Sequence, residues 1–151
     1  MDKLILAIID SGVDKYIKIN GVGIEHNENI DEYFVTNEVM DQNGHGTIVT
    51  NIIRENIDDE NLYIVKLFDQ QDEIEGEKLV FALKYLRDFI KPDIIHLSMG
   101  ISFCDDIITL RDICQDLVKN GTVIVCAFDN NGSLSYPAAF PFVIGVESNA
   151  S

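Results

Sequence analysis

Basic residues are scarce in this chain. Lysine and arginine number 11 against 26 aspartates and glutamates, for a formal net charge of −15. Phosphate-rich partners meet net repulsion from such a surface, which excludes unassisted binding to nucleic acid or to an anionic membrane and leaves neutral or basic partners. The acidic residues are scattered, as in Glu25 to Glu28 and Asp58 to Glu60, and read as a solvated face. Cysteine is equally sparse: Cys104, Cys114 and Cys126 are odd in number and form no C-x-x-C pair. A disulfide framework is therefore excluded, and buried or free thiols in a reducing compartment are expected. Long apolar runs are missing as well. The N-terminal run Leu4 to Ile9 lies between Lys3 and Asp10 and is too short for a signal peptide or a membrane span. These features lead us to expect a cytoplasmic, soluble protein with no pro-segment ahead of the fold. Internal repeats, low-complexity tracts and linkers are absent too, so the 151 residues are expected to form one domain with one core.

What is present alternates. Leu4 to Ile9 is aliphatic on both faces, the pattern of a strand buried in a parallel sheet, and it stops at Asp10-Ser11-Gly12. Lys15 to Met40 is polar and irregular, with Gly21, Gly23 and several asparagines, and predicts a loop with one short strand near Tyr33-Phe34-Val35. Further buried strands are predicted over 61–68, 93–97, 122–127 and 142–146. Helices are predicted over 77–90, ended by Lys91-Pro92, and over 107–119, with Asp105 or Asp106 as cap and Gly121 as stop. Strands alternating with helices imply a doubly wound, mostly parallel α/β sheet with helices on both faces, whose ligand site lies outside the carboxyl ends of the strands.

The stretch Asn43-Gly44-His45-Gly46-Thr47 organises that frame. A histidine between two glycines opens an apolar helical segment, and Ile48, Val49, Ile52 and Ile53 are expected to anchor the helix in the core. A helix start disfavours imidazolium, so the ring is suited to accepting a proton. Other strand ends carry polar groups as well: Asp10 after the first, Ser98-Met99-Gly100 after the third, Asn130 after the fourth. A carboxylate bound to one imidazole nitrogen fixes the tautomer and leaves the other nitrogen to take a proton from a nucleophile. An Asn amide can donate to a developing oxyanion, an effect of roughly 3 kcal/mol. Ser-Met-Gly can present backbone groups to an extended peptide. Each residue also has a plainer use, in capping a turn or tolerating a left-handed backbone. A phospho-accepting receiver, or a metal site built from Asp10, His45 and His96, is the competing reading of the same residues.

Taken together, five segments resemble the subtilisin-like (subtilase) serine proteases. Ile8-Ile9-Asp10-Ser11-Gly12 is similar to the family's catalytic-Asp motif, and Asn43-Gly44-His45-Gly46-Thr47 to its catalytic-His motif. Ile94 to Gly100 resembles the strand whose end lines the substrate cleft. Val123 to Asn130 resembles the strand that ends at the oxyanion asparagine, and Ser135-Tyr136-Pro137-Ala138 the Tyr-Pro-Ala segment. The resemblance implies a single three-layer α/β/α domain over 1–151 and an Asp-His-Ser endopeptidase acting on peptide in extended conformation. It assigns Asp10 and His45 as catalytic, Asn130 as oxyanion donor and Ser98, Met99 and Gly100 as substrate-binding, with no cofactor. No metal ligand carries over, because the family's calcium-binding residues are not matched.

Departures from the pattern matter as much. The family's nucleophile sits in a Gly-Thr-Ser-x-Ala motif beyond the Tyr-Pro-Ala segment, and no Gly-Thr-Ser occurs in these 151 residues. Asp129 stands where the family usually has Gly beside the oxyanion Asn, and Ile48 replaces a second His. Two expectations follow. The chain is a protease domain completed by another segment or a partner chain, inactive alone and prone to self-association through an uncovered apolar face. Alternatively, it is a degenerate relative that binds a peptide or partner without cutting it.

Overall fold

The structure is a computed structural model that describes residues 3–70, 74–101, 106–128 and 135–147. In chain order the elements are β1 (Leu6–Asp10), β2 (Gly21–Asn27), β3 (Glu32–Thr36), α1 (His45–Arg54), β4 (Leu62–Lys66), α2 (Gly76–Tyr85), β5 (Ile94–Leu97), α3 (Ile107–Lys119), β6 (Val123–Ala127) and β7 (Ile144–Val146). They build one seven-stranded sheet in the order β3-β2-β4-β1-β5-β6-β7, parallel except for the β2/β3 hairpin. The chain leaves β1 toward β4 on one side and later returns to β5 on the other. The switch point of the sheet thus falls at the carboxyl end of β1, where Asp10 sits.

Alternation along the strands divides the core. Ala7, Ile9, Val65, Ile95, Leu97, Ile124 and Cys126 pack with α2 and α3 through Leu79, Leu83, Leu110, Cys114 and Leu117. Leu6, Ile8, Leu62 and Ile64 face the other way and meet Val49 and Ile53 of α1. Cys114 and Cys126 are free and buried, and burial pushes both thiols up to about 12, so both are held as inert thiols.

Helices lie on both faces, as expected, but unequally. α2 and α3 share one face and α1 stands by itself on the other among the described residues. Register carries the α1 face across β5, β6 and β7: Ile94 pairs with Val123, His96 with Val125, Val125 with Ile144 and Ala127 with Val146. Val123, Ile144 and Val146 are exposed there. Of the expected apolar row of α1, Val49 and Ile53 are partly buried, while Ile48 and Ile52 are 63% and 58% exposed. The 48/52 row lies about 100° around the helix from the 49/53 row, and the sheet beneath reaches only the latter.

The last strand, expected to be buried over 142–146, is Ile144–Val146 and exposed along its length, because nothing among the described residues covers that edge of the sheet; two further readings differ from the sequence. Gly21–Asn27, expected as loop, is a strand that pairs with β3 and β4. Its glycines resemble turn punctuation, yet a Cβ at Gly21 would lie 2.4 Å from the carbonyl oxygen of Ile64 and one at Gly23 would lie 2.2 Å from that of Glu38, so close approach of neighbouring backbone is what they serve. The predicted helix over 77–90 is α-helical to Tyr85 and ends in a π-helical turn over Leu86–Ile90, closed by the Lys91 N–H donating to the Leu86 carbonyl at 2.7 Å. The helix over 107–119 is found as predicted, capped by Asp106, which accepts from the Thr109 N–H at 3.1 Å.

Candidate active site

Asp10 ends β1 and is 1% exposed. A buried carboxylate needs donors, and three groups supply them. The Ser11 N–H donates to Oδ1 at 2.7 Å, and the Ser98 hydroxyl donates to Oδ2. Nδ1 of His45, 35 residues away in sequence, lies 2.9 Å from Oδ1 and 3.1 Å from Oδ2. A carboxylate only accepts, so Nδ1 carries the proton and Nε2 of the neutral ring keeps its lone pair. The imidazole is 39% exposed while its partner is sealed. One nitrogen is thereby fixed in the protein, and the ring remains open to an incoming group.

Local chemistry places the two residues. The apolar run of β1 ends in a turn, and α1 begins at His45 after Gly44, whose φ of 98° sets the chain into the helix from a left-handed conformation. Gly46 permits the contact between the two segments, because a Cβ there would stand 2.3 Å from the Gly12 carbonyl oxygen and 3.0 Å from Ser11 Oγ. Backbone cannot yield as a side-chain tip can, so Gly46→Ala is expected to push the first turn of α1 off β1. We expect a loss of about 1–3 kcal/mol of stability and, wherever the site turns over, a loss of roughly 100-fold in kcat/KM from a displacement near 1 Å. Thermal unfolding measures the first. An unchanged melting temperature would mean that the helix start is not held against the turn.

Of the residues expected to bind substrate, Ser98 turns its hydroxyl to Asp10, and Met99 is buried in the core shared with α2 and α3. Gly100 packs against Ser135, whose hydroxyl oxygen would lie only 2.7 Å from a Cβ at that position. Side chains here are thus committed to the protein, and only backbone groups remain for a ligand. Asn130 and Asp129 lie outside the described residues.

His96 occupies the α1 face of β5 beside the pair. Among the described residues its buried Nδ1 has no hydrogen-bond partner. Burial pushes its pKa below the ordinary histidine value, against the opposing pull of the Asp10 carboxylate, so the ring is neutral. Among the described residues no group of three His, Cys, Asp or Glu side chains is placed to hold a metal ion.

Sequence reasoning passed over Asp41. It looked like an ordinary polar loop residue, but its carboxylate accepts from Ser11, Asn43, Gly44 and Thr47. Burial opposes its charge, and the bonds from Thr47, Gly44, Asn43 and Ser11 outweigh burial and hold its pKa below the usual carboxylate value. Its four-residue offset from His45 was the available signal, being one helical turn ahead of the helix start.

Comparison with known proteins bears on this arrangement. The profile of the subtilase family matches residues 1–150. The major intracellular serine protease of Bacillus subtilis is 33% identical over 127 residues, which cover 73% of this chain and 39% of that protein. The minor extracellular protease Epr of the same organism is 28% identical over 155 residues, covering 95% of this chain and 23% of that one. The chain therefore spans well under half the length of either relative. Among solved structures, a psychrophilic subtilisin-like protease from an Antarctic Pseudoalteromonas shares the fold with a TM-score of 0.70 at 24% identity, over 94% of this chain and 35% of its own. The epidermin leader peptide processing serine protease from Staphylococcus aureus does so with a TM-score of 0.69 at 17% identity, over 95% and 46%.

Proposed function

Since the chain belongs to the subtilase family, we propose that it supplies the acid–base half of a subtilisin-type serine endopeptidase, with the nucleophilic serine brought to His45 by a segment bearing the Gly-Thr-Ser motif. One observation carries this reading: Nδ1 of His45 lies within hydrogen-bond distance of both oxygens of a buried Asp10 at the switch point of the sheet. In the reaction, Nε2 accepts the serine proton as Oγ attacks the peptide carbonyl. Asp10 stabilises the imidazolium so formed, and that imidazolium then protonates the leaving amine. Asn130 is assigned to the oxyanion, and the backbone of Ser98 to Gly100 to the extended substrate.

The occupant of the uncovered sheet face belongs to the same reading. Ile48 and Ile52 on α1 and Val123, Ile144 and Val146 on the α1 face of the sheet are exposed, and we place a helix carrying the nucleophile at its start over that face. We place the reaction in the cytoplasm. Cys114 and Cys126 are free thiols, the 33% identical relative is named as intracellular, and no helix among the described residues is long and apolar enough to cross a membrane.

A fluorophosphonate that labels active-site serines tests the proposal. Among the described residues no serine hydroxyl is bonded to Nε2 of His45: Ser98 serves Asp10 and Ser11 serves Asp41. The 151-residue chain is therefore expected to remain unlabelled and to cleave nothing. Produced together with the Gly-Thr-Ser segment, it is expected to label once, on that segment, and to hydrolyse an extended peptide. Labelling of any serine within the 151 residues would overturn the assignment. A complete assembly that binds peptide without cleaving it would establish the binding-module alternative, which Asp129 favours because a carboxylate beside the oxyanion site repels the developing charge.

A further inference from the structure

The pair Asp10–His45 bridges two different secondary-structure elements, the end of β1 and the start of α1. A strand end and a helix start 35 residues apart must be held to a few tenths of an ångström for the bond at Nδ1 to persist. The helix does not achieve this by an ordinary cap: its N-cap residue is Gly44, which has no side chain to offer. The first-turn N–H groups are instead satisfied from elsewhere. The Gly46 N–H donates to Ser11 Oγ at 2.9 Å and the Thr47 N–H to Asp41 Oδ2 at 3.0 Å. Ser11 Oγ, already accepting from Gly46, passes its own proton on to Asp41 Oδ1 at 2.8 Å. Oδ1 also takes the N–H groups of Asn43 and Gly44, both at 2.9 Å, and Oδ2 takes the Thr47 hydroxyl at 2.6 Å.

From this connectivity we propose that Asp41, acting through Ser11, is a positioning residue that sets the separation of Asp10 and His45; the proposal rests on the reading of that pair as the acid–base couple. The chain of bonds touches both halves of the couple at the adjoining residue, since Ser11 follows Asp10 and Gly46 follows His45. Ser11 is 0% exposed, so no water replaces its partner. Both oxygens of Asp41 are engaged by donors only. Asparagine, with one oxygen and one NH2, matches the size of Asp41 but can satisfy one set of donors and must oppose the other. Turned one way it takes the acceptor from the Ser11 hydroxyl, turned the other it opposes the Thr47 N–H, and either way the link between strand end and helix start loses one of its bonds. As an anion at the first turn of α1, Asp41 also offsets the positive helix end without touching the imidazole.

The experiment uses the full chain labelled with 15N at histidine, which leaves three imidazoles to observe. Long-range 15N–1H spectra report the tautomer of His45, and exchange with water reports the protection of its Nδ1 proton. In the native chain the Nδ1–H form and a protected proton are expected. Asp41→Asn and Ser11→Ala are each expected to admit the Nε2–H form and to speed exchange of the Nδ1 proton by at least tenfold, while Ser11→Thr, which keeps the hydroxyl, retains both native signatures. A purely structural contribution lowers the melting temperature and leaves tautomer and exchange alone, and that result in both variants would overturn the proposal. Should Asp41→Asn fail to fold, the contrast between Ser11→Ala and Ser11→Thr decides by itself. A native ring without the Nδ1–H form would remove the acid–base reading first and this proposal with it, which separates the two failures.

Discussion

Asp10→Asn, made in the protease completed by its Gly-Thr-Ser segment, is expected to lower kcat by 10³ to 10⁴-fold, on the order seen when a triad carboxylate is neutralised. The cause is geometric as well as electrostatic. Asp10 accepts from the Ser11 N–H, the Ser98 hydroxyl and His45 Nδ1. Ser11 donates to one carboxylate oxygen and Ser98 to the other, so the single asparagine oxygen keeps only one of them, and the NH2 takes the other position, within about 3 Å of the ring nitrogen. The imidazole then puts its lone pair on Nδ1 and its proton on Nε2, where it can no longer accept from the nucleophile. The substitution also removes the charge that stabilises imidazolium. KM is expected to change little, because Asp10 is sealed from the substrate. Steady-state kinetics on one extended peptide measures both constants. A kcat within tenfold of the native value would show that His45 does not need Asp10, and the acid–base assignment would fall.

The second large effect concerns the bare face beside α1. Ile48, Ile52, Val123, Ile144 and Val146 are all exposed on it, whereas soluble monomers rarely leave more than a few hundred Å² of continuous apolar surface uncovered. Burying such a patch contributes on the order of 10 kcal/mol as an upper bound at about 25 cal/mol per Å², comparable with the whole stability of a domain. The 151-residue chain is therefore expected to self-associate and to bind a hydrophobic dye. Both effects are expected to diminish with Ile48→Lys together with Ile52→Lys, which charge the exposed side of α1 and leave Val49 and Ile53 in place. Adding the Gly-Thr-Ser segment is expected to displace the dye. Light scattering gives the solution mass. A stable monomer that binds no dye would mean that this face is covered in another way, and the proposed seat of the nucleophile helix would be wrong.

Sequence alone determined which stretches are strands and which are helices wherever periodicity was strong. The aliphatic run of β1, the stripe of α3 and the Gly-His-Gly opening of α1 each encode a local conformation in a few consecutive residues, and the order of motifs placed Asp10 and His45 at strand end and helix start. Strand β2 was not legible, because its two glycines answer to distant backbone, Gly21 to the carbonyl of Ile64 on β4 and Gly23 to that of Glu38 just past β3. Tertiary structure decided the rest. Ile48 and Ile52 look as buried as Val49 and Ile53 in any window of sequence, and only the reach of the sheet under α1 separates them. Ser98 could have faced a ligand or Asp10, and Met99 a cleft or the core, until pairing of β5 with β1 set their directions. Asp41 carries no periodic signal, and its five bonds exist only because the β1 turn and the start of α1 meet around it. Local spacing specifies backbone conformation, whereas contact between residues far apart in the chain depends on strand order and on which face each helix covers, and neither is written in any single segment.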